Sequence, residues 1–114
     1  MSRKLQNYVR TYRKRAGLSQ DEMALLLGCR SGAKVSRYER FAREPTLQTA
    51  LAYEAVFGAP VSELFGGVYE QSRAAIQVRA GLLAEMLRQK NSDPQTGRKL
   101  ELLSTISSSR SQRN

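Results

Sequence analysis

Residues that end or begin helices follow one another at short intervals through the first 65 positions of the chain. Gly17, Gly28 and Gly58 each close an apolar segment, and glycine readily takes the left-handed conformation found at helix ends. Pro45 and Pro60 cannot continue a preceding helix. No segment alternates apolar and polar residues for long enough to form a strand. These signals predict an all-α fold with five short helices, which only a shared core can stabilise.

The first two predicted helices are separated by Gly17. Helix one covers residues 3–16, where residues at helical spacing are Leu5, Val9, Tyr12 and Ala16. Helix two is only about eight residues long, because Ser19 and Glu22 form a capping-box pattern before it and Gly28 ends it. Its apolar group is Met23, Ala24, Leu26 and Leu27.

The third predicted helix covers about residues 31–40 and can be capped by Ser31. Val35 and Tyr38 are spaced to face inward. The basic side chains that can face outward are Lys34, Arg37 and Arg40. The spacing between helices two and three is short, so these two helices should pack as a tight pair.

Two further helices complete the predicted domain. Thr46 can cap helix four and Gly58 closes it. The residues predicted to face inward from it are Leu47, Ala50, Leu51 and Ala55. Pro60 opens a fifth helix of one to two turns that carries Leu64 and Phe65.

The C-terminal third continues as helix, with a different pattern. Between Val68 and Lys90 a wide helical face is apolar, at Ala75, Ile76, Val78, Ala80, Leu82, Leu83, Met86 and Leu87. Asp93 and Pro94 signal the start of a last helix, whose narrow apolar stripe is Leu100, Leu103 and Ile106. The predicted organisation is a domain at residues 1–66, a helical extension at 67–106 and a disordered tail at 107–114.

Positive charge is concentrated at the N-terminal end. The chain has 19 Lys and Arg against 10 Asp and Glu, for a net charge of +9. Residues 1–43 hold 11 basic and 3 acidic groups, whereas residues 44–66 hold three acids and no Lys or Arg. A positive field at one end favours a polyanionic partner, either nucleic acid or an anionic membrane surface.

Several classes of protein are disfavoured by what the sequence lacks. There is no histidine, and Cys29 is the only cysteine, so we expect no metal site, no cofactor and no intramolecular disulfide. No nucleophile–base pair or glycine-rich phosphate loop indicates an enzyme. The single cysteine favours a reducing cytoplasm as the location. No apolar run is long enough to span a bilayer, so a protein without membrane attachment is expected. The acid-free, basic residues 1–20 also fit a mitochondrial presequence, a weaker alternative because they lead directly into the helical pattern.

The sequence resembles the Cro and phage-repressor type of helix-turn-helix, also called the XRE family. The resemblance is carried by Gly17-Leu18-Ser19-Gln20-Asp21-Glu22-Met23-Ala24, by Leu27-Gly28 and by Val35-Ser36-Arg37-Tyr38-Glu39-Arg40, and it continues through Pro45-Thr46-Leu47, Leu51, Ala55, Gly58 and Val61-Ser62-Glu63-Leu64-Phe65. It covers residues 3–66 and implies a five-helix repressor-like domain that binds operator DNA through the major groove, with helix three as recognition helix. A plain helical bundle with a basic face is the alternative.

The resemblance also implies roles for single residues. Those placed to read bases are Gly32, Ala33, Lys34 and Arg37. Arg37 is the best candidate, because a guanidinium can bond to both O6 and N7 of guanine, although a role as phosphate clamp remains open. Lys34 fits a phosphate better than a base. Contacts to the DNA backbone are expected from Ser19, Gln20, Arg30, Ser31, Ser36, Arg40 and Arg43, with Ser36 open to either role.

The resemblance further pairs Arg13 of helix one with Glu39 at the end of helix three as a structural ion pair. Two departures from the family pattern predict an enlarged turn: Gly28 to Val35 is one residue longer than the common spacing, and Phe41 stands where glycine is frequent. Cys29 matches a position usually filled by a buried aliphatic residue, so a packed thiol is favoured over a redox sensor.

The apolar face between Val68 and about Lys90 is wider than docking on so small a domain requires. We interpret it as a dimerisation helix or helical hairpin that places two recognition helices about 34 Å apart on a palindrome. Intramolecular packing on helices four and five is the alternative. The expected function is a transcriptional regulator, with repression favoured. An antitoxin or accessory protein that keeps a DNA-binding domain and covers a partner remains open, whereas RNA binding is disfavoured by the lack of an aromatic-bearing sheet.

Overall fold

A computed structural model describes residues 5–90 and 94–108 of the chain. Throughout these residues the regular structure is helical, which confirms the all-α prediction. The helices are α1 (Val9–Arg15), α2 (Gln20–Leu27), α3 (Gly32–Glu39), α4 (Leu47–Phe57), α5 (Val61–Leu64), α6 (Gly66–Gln89) and α7 (Thr96–Ser108). The chain forms two compact units, residues 1–70 and 71–114, and their boundary lies within α6.

The first unit has one aromatic and aliphatic core. Its largest fully buried side chains are Tyr38, Tyr53, Met23, Leu64, Val9 and Val35. Tyr53 of α4 lies at the centre, with its ring centroid 6.4 Å from that of Tyr38, 6.3 Å from Phe57 and 6.0 Å from Phe65. The core therefore joins α3, α4 and the end of α5 through one group of rings.

Local signals set the ends of α2, α3 and α4 as predicted. Ser19 Oγ accepts from Glu22 N and Glu22 Oε1 accepts from Ser19 N, so both halves of the capping box form. Ser31 and Thr46 cap α3 and α4 with their side chains. Gly28 and Gly58 take the left-handed conformation at the ends of α2 and α4.

The start predicted for helix one is wrong. Residues 5–8 are not helical, and α1 begins at Val9; residues 3 and 4 lie outside the described residues. The backbone of this segment bonds elsewhere, because Tyr8 N donates to Leu64 O over 2.7 Å and Gln6 O accepts from Val68 N. Asn7 is buried and its side-chain nitrogen donates to Tyr38 O over 3.0 Å. These tertiary bonds replace the helical ones that the apolar spacing predicted.

The inward face predicted for helix four is also wrong, apart from Ala50. Leu47 and Leu51 are 73% and 50% exposed, and Ala55 is exposed as well. Apolar residues surround this helix, so their spacing selects no face, and the bulky ring of Tyr53 takes the interior position. In α2, Leu26 is likewise exposed although it was placed in the apolar group, whereas Met23 and Ala24 are fully buried.

The second unit contains the continuation of α6 and the helix α7. Leu103 is buried against Ala80 and Ala84, and the side chains packed around them are Leu87, Leu100 and Ile106. The predicted stripe on the last helix therefore faces its own unit. Helix α7 starts at Thr96 rather than at Pro94, and the predicted cap Asp93 lies outside the described residues.

Helix α7 extends through Ser108, two residues into the segment 107–114 that was predicted to be disordered. Its last turn is supported by side chains that fold back on the helix: Ser104 Oγ donates to Glu101 O and Thr105 Oγ1 donates to Leu102 O. The rest of that predicted tail lies outside the described residues. In the described part of the chain, no helix is both long enough and apolar enough to be a candidate membrane span.

Candidate nucleic-acid interface

Helices α2 and α3 are joined by a tight connection at residues 28–31. The connection starts with Gly28 at φ 80°, and Cys29 N closes it by donating to Ala24 O over 2.8 Å. Cys29 is half-buried and packs against the core, at the place where the resemblance expects an aliphatic residue. The extra residue of this turn therefore lies in a short loop that keeps the two helices in contact.

A cleft of about 410 Å³ opens beside this connection. It is lined by Arg30, Ser31, Lys34 and Arg37, together with Thr49 of α4 and the apolar or small residues Leu27, Gly28 and Cys29. Within residues 5–90 and 94–108, the side chains of Arg30, Lys34 and Arg37 form no hydrogen bond or ion pair. Three cations and two hydroxyls thus line one concave surface, a donor set that suits phosphate oxygens.

The remaining predicted contact residues differ in their exposure and in their hydrogen bonds. Ala33 and Arg43 are exposed. Ser36 and Arg40 lie one turn apart, and Arg40 Nε donates to Ser36 Oγ over 3.1 Å. The hydroxyl of Ser36 is therefore engaged by its neighbour, and any contact that it makes to DNA must be shared with Arg40.

Gly32 does not lie on the outward surface with these residues. It is buried, and a Cβ atom at this position would stand 2.7 Å from Asp21 Oδ1 and 2.9 Å from Gln20 Cβ. Its backbone N–H is also taken, since it donates to Asp21 Oδ1 over 2.8 Å. The structure places Gly32 at the contact between α2 and α3, which is a packing position, rather than among the groups free to read bases.

Arg13 and Glu39 lie together in the interior. Arg13 Nε is 2.6 Å from Glu39 Oε2 and Arg13 Nη2 is 3.1 Å from Oε1, and the two side chains are 9% and 2% exposed. Arg13 Nη1 also donates to Leu18 O over 2.7 Å. The hydrogen bond to Glu39 raises the pKa of the Arg13 guanidinium, so the guanidinium stays charged.

Gln20, at the start of α2, joins this pair. Its side-chain nitrogen donates to Glu39 Oε1 over 3.0 Å, which connects the first turn of α2 with the last turn of α3. Ser19 is exposed, but its hydroxyl and its backbone N–H both serve the capping box. Both predicted backbone contacts therefore have structural partners in the protein itself.

Two residues at or next to this surface were not predicted from the sequence. Thr49 faces the cleft from the first turn of α4, and Asp21 bonds to the first residue of α3. Thr49 carries a weak signal, because it follows the cap Thr46 by three residues and so belongs to a helix N-terminus. The role of Asp21 has no local signal, since it depends on how two helices cross.

No group of three or more His, Cys, Asp or Glu side chains that could hold a metal ion occurs in the part of the chain that the structure describes. The candidate site therefore consists of cations, hydroxyls and backbone groups on a helix pair.

The helix pair α2 and α3 lies within a match to a known protein family. A family model described as a helix-turn-helix domain matches residues 5–64, more than half of the 114 residues. The chain belongs to the helix-turn-helix domain family. A search of curated proteins and a search of solved structures found no match. This helix-turn-helix DNA-binding domain includes α2, α3 and the tight connection between them, and the basic cleft lies beside that connection.

Proposed function

We propose that this protein is a sequence-specific transcriptional regulator of the Cro and phage-repressor type, acting as a repressor, with α3 in the major groove of operator DNA. The observation that supports the proposal is the set of cations Arg30, Lys34 and Arg37 at the turn of the motif, which have no partner among the described residues. Cations without protein partners are free to replace the counterions of DNA phosphates. Such a regulator would act in the cytoplasm.

Arg37 is the proposed base-reading residue. It is exposed on α3, and its planar guanidinium can donate to O6 and N7 of one guanine. Ala33 is exposed one turn earlier and offers a methyl group, which suits contact with the methyl group of thymine. With few reading groups on α3, DNA shape should contribute to specificity.

The proposed phosphate contacts surround the reading residues. Arg30, Lys34 and the hydroxyls of Ser31 and Thr49 share the cleft beside the motif. Further proposed contacts to the backbone are Ser19, Gln20, Ser36, Arg40 and Arg43. Because Gln20 and Ser36 already bond within the protein, they should contribute less to affinity than Arg43, whose side chain is exposed and unbonded within the described residues.

We further propose that two copies assemble through the second unit, which contains the continuation of α6 and α7. The large apolar side chains that α6 leaves exposed within the second unit are Ile76, Val78, Leu82, Leu83 and Met86. Together they form a face far more apolar than a monomeric helix usually shows to water. A second copy would bury this face and present two recognition helices to two half-sites of a palindrome. An antitoxin or accessory role is the second candidate, since a partner protein could cover the same face.

The experiment that tests the proposed function is selection of bound duplexes from a random pool with the purified full chain. We expect enrichment of one sequence class, and tighter binding of a selected duplex than of its scrambled version by at least about a thousandfold at equal salt. Affinity for both should fall linearly on logarithmic scales with salt concentration. A pool that stays random after repeated rounds would contradict the proposal.

A further inference from the structure

Asp21 of α2 bonds to the first residue of α3. Its Oδ1 accepts the backbone N–H of Gly32 over 2.8 Å, and this N–H is one of the helix-start donors that have no partner within their own helix. Ser31 Oγ accepts a neighbouring one from Ala33 N over 3.3 Å. The first turn of α3 contains no acidic residue of its own. Asp21 therefore supplies, from another helix, the negative charge that favours a helix N-terminus.

The contact is also close in space. A methyl group at position 32 would lie 2.7 Å from Asp21 Oδ1, 2.9 Å from Gln20 Cβ and 3.0 Å from the carbonyl carbon of Gln20. Two of these atoms belong to the backbone or are bonded to it, so they cannot move without α2 itself. Gly32 and Asp21 thus fix the distance between the first turn of α2 and the first turn of α3.

The other end of α3 is fixed by different residues. Glu39 is bonded by Arg13 from α1 and by Gln20 from α2. Two consecutive residues of α2, Gln20 and Asp21, consequently bond to the last and the first residue of α3. Besides the burial of Val35 and Tyr38 in the core, these bonds therefore restrain both ends of α3 relative to α2.

We propose that Asp21 is a positioning residue for base readout, which holds the N-terminal turn of α3 at the angle that Arg37 needs to reach a base. The inference rests on the proposed function and adds a residue to it. Asp21 carries a negative charge beside a phosphate-binding surface, so it lowers the affinity for DNA of any sequence. Asp21 acts by orienting α3, and only the affinity for matched DNA depends on that orientation.

The test compares Asp21→Ala and Asp21→Asn in the full chain, with a duplex selected by the wild type and its scrambled version as probes. Asp21→Ala removes the acceptor, and the ratio of the two affinities should fall about tenfold, the factor that corresponds to about 1.4 kcal/mol. Asp21→Asn keeps an acceptor oxygen and removes the charge. It should keep the ratio within about twofold and bind both duplexes more tightly.

A second variant approaches the contact from the other side. Gly32→Ala adds one methyl group, which forces α3 away from α2, and it should lower the ratio as Asp21→Ala does. Thermal unfolding followed by circular dichroism shows which variants are folded at the binding temperature. Among folded variants, a ratio unchanged in Asp21→Ala or in Gly32→Ala would overturn the inference, as would equal losses on both duplexes. A wild type that prefers no duplex would instead contradict the proposed function.

Discussion

The hydroxyl of Tyr53 is the least satisfied polar group in the core of the first unit. The residue is fully buried, and its hydroxyl has no hydrogen-bond partner among the described residues. Burial raises the pKa of Tyr53, with Glu39 as a smaller cause. Its ring touches three other aromatic rings. The ring therefore stabilises the core while the hydroxyl costs free energy.

We expect Tyr53→Phe to raise the free energy of unfolding by about 1 kcal/mol, because it removes a buried donor without a partner. Urea denaturation followed by circular dichroism measures this change. Tyr53→Ala is the control and should lower the same quantity by about 3–5 kcal/mol, since it removes the ring as well. A loss of stability in Tyr53→Phe would show that the hydroxyl has a partner.

The same pair of proteins gives a pH signature. A tyrosine ionises near pH 10 in the unfolded chain, whereas Tyr53 stays neutral to higher pH in the folded protein. The stability of the wild type is therefore unaffected by this ionisation below about pH 10. It falls as the pH rises from there toward the folded-state pKa of Tyr53, because only the unfolded chain can ionise this tyrosine readily. The stability advantage of Tyr53→Phe over the wild type should widen above about pH 10. A constant difference would contradict the burial of a neutral tyrosine.

Removing one partner of the ion pair between α1 and α3 should be costly. Arg13→Met leaves the carboxylate of Glu39 buried with Gln20 as its one remaining side-chain donor among the described residues. We expect the free energy of unfolding to fall by about 3–5 kcal/mol. The double variant Arg13→Met with Glu39→Leu is the matched control. It should lose less, because no buried charge remains unpaired. Equal losses in the two proteins would mean that packing, and not charge, determines the effect.

At the scale of elements, local signals predicted helix ends well. The capping box at Ser19, the caps Ser31 and Thr46, and the left-handed glycines act within one turn of the chain, so the sequence contains all of their chemistry. Phe41 has φ 64° at the position where the resemblance expects glycine. Phe41 thus takes the left-handed conformation that glycine adopts most readily.

Features that depend on contacts between elements could not be predicted in this way. Residues 5–8 form backbone hydrogen bonds with α5 and α6, and their apolar spacing does not predict these bonds. The resemblance likewise placed Gly32 among the base-reading residues. Its burial depends on how closely α2 approaches α3, which the sequence does not reveal. In the candidate site, the cations that line the cleft were found from the sequence, whereas Thr49 and Asp21 were not.

The corrected face of α4 gives a prediction for two leucines. Leu47 is 73% exposed, so Leu47→Ala should change the free energy of unfolding by no more than about 0.5 kcal/mol. Leu64 is fully buried, and Leu64→Ala should lower it by about 2–5 kcal/mol. Thermal or urea unfolding of both variants decides the matter. A large loss for Leu47→Ala would restore the inward face that the sequence first indicated.

In our proposal, the exposed apolar face of α6 determines whether the whole molecule assembles into a dimer. Size-exclusion chromatography with light scattering should give a dimer for the full chain. Leu82→Glu places a charge on the exposed apolar face, because Leu82 is 63% exposed, and it should give a monomer. Leu47→Glu makes the same change at an exposed leucine of α4, outside the α6 face, and should leave the dimer intact. A monomeric wild type would contradict assembly through this face, and a dimeric Leu82→Glu variant would place the interface elsewhere.

The central claim is that α3 of the helix-turn-helix reads bases while the surrounding cations hold the backbone. Its most direct test is the affinity of Arg37→Ala and Arg43→Ala for a selected duplex in which each base pair is changed in turn. Arg37→Ala should remove the preference at one base pair, worth about 1–3 kcal/mol, and leave the others. Arg43→Ala should weaken binding to every duplex and reduce the salt slope by about 1. Equal losses for Arg37→Ala on matched and scrambled DNA would contradict the claim.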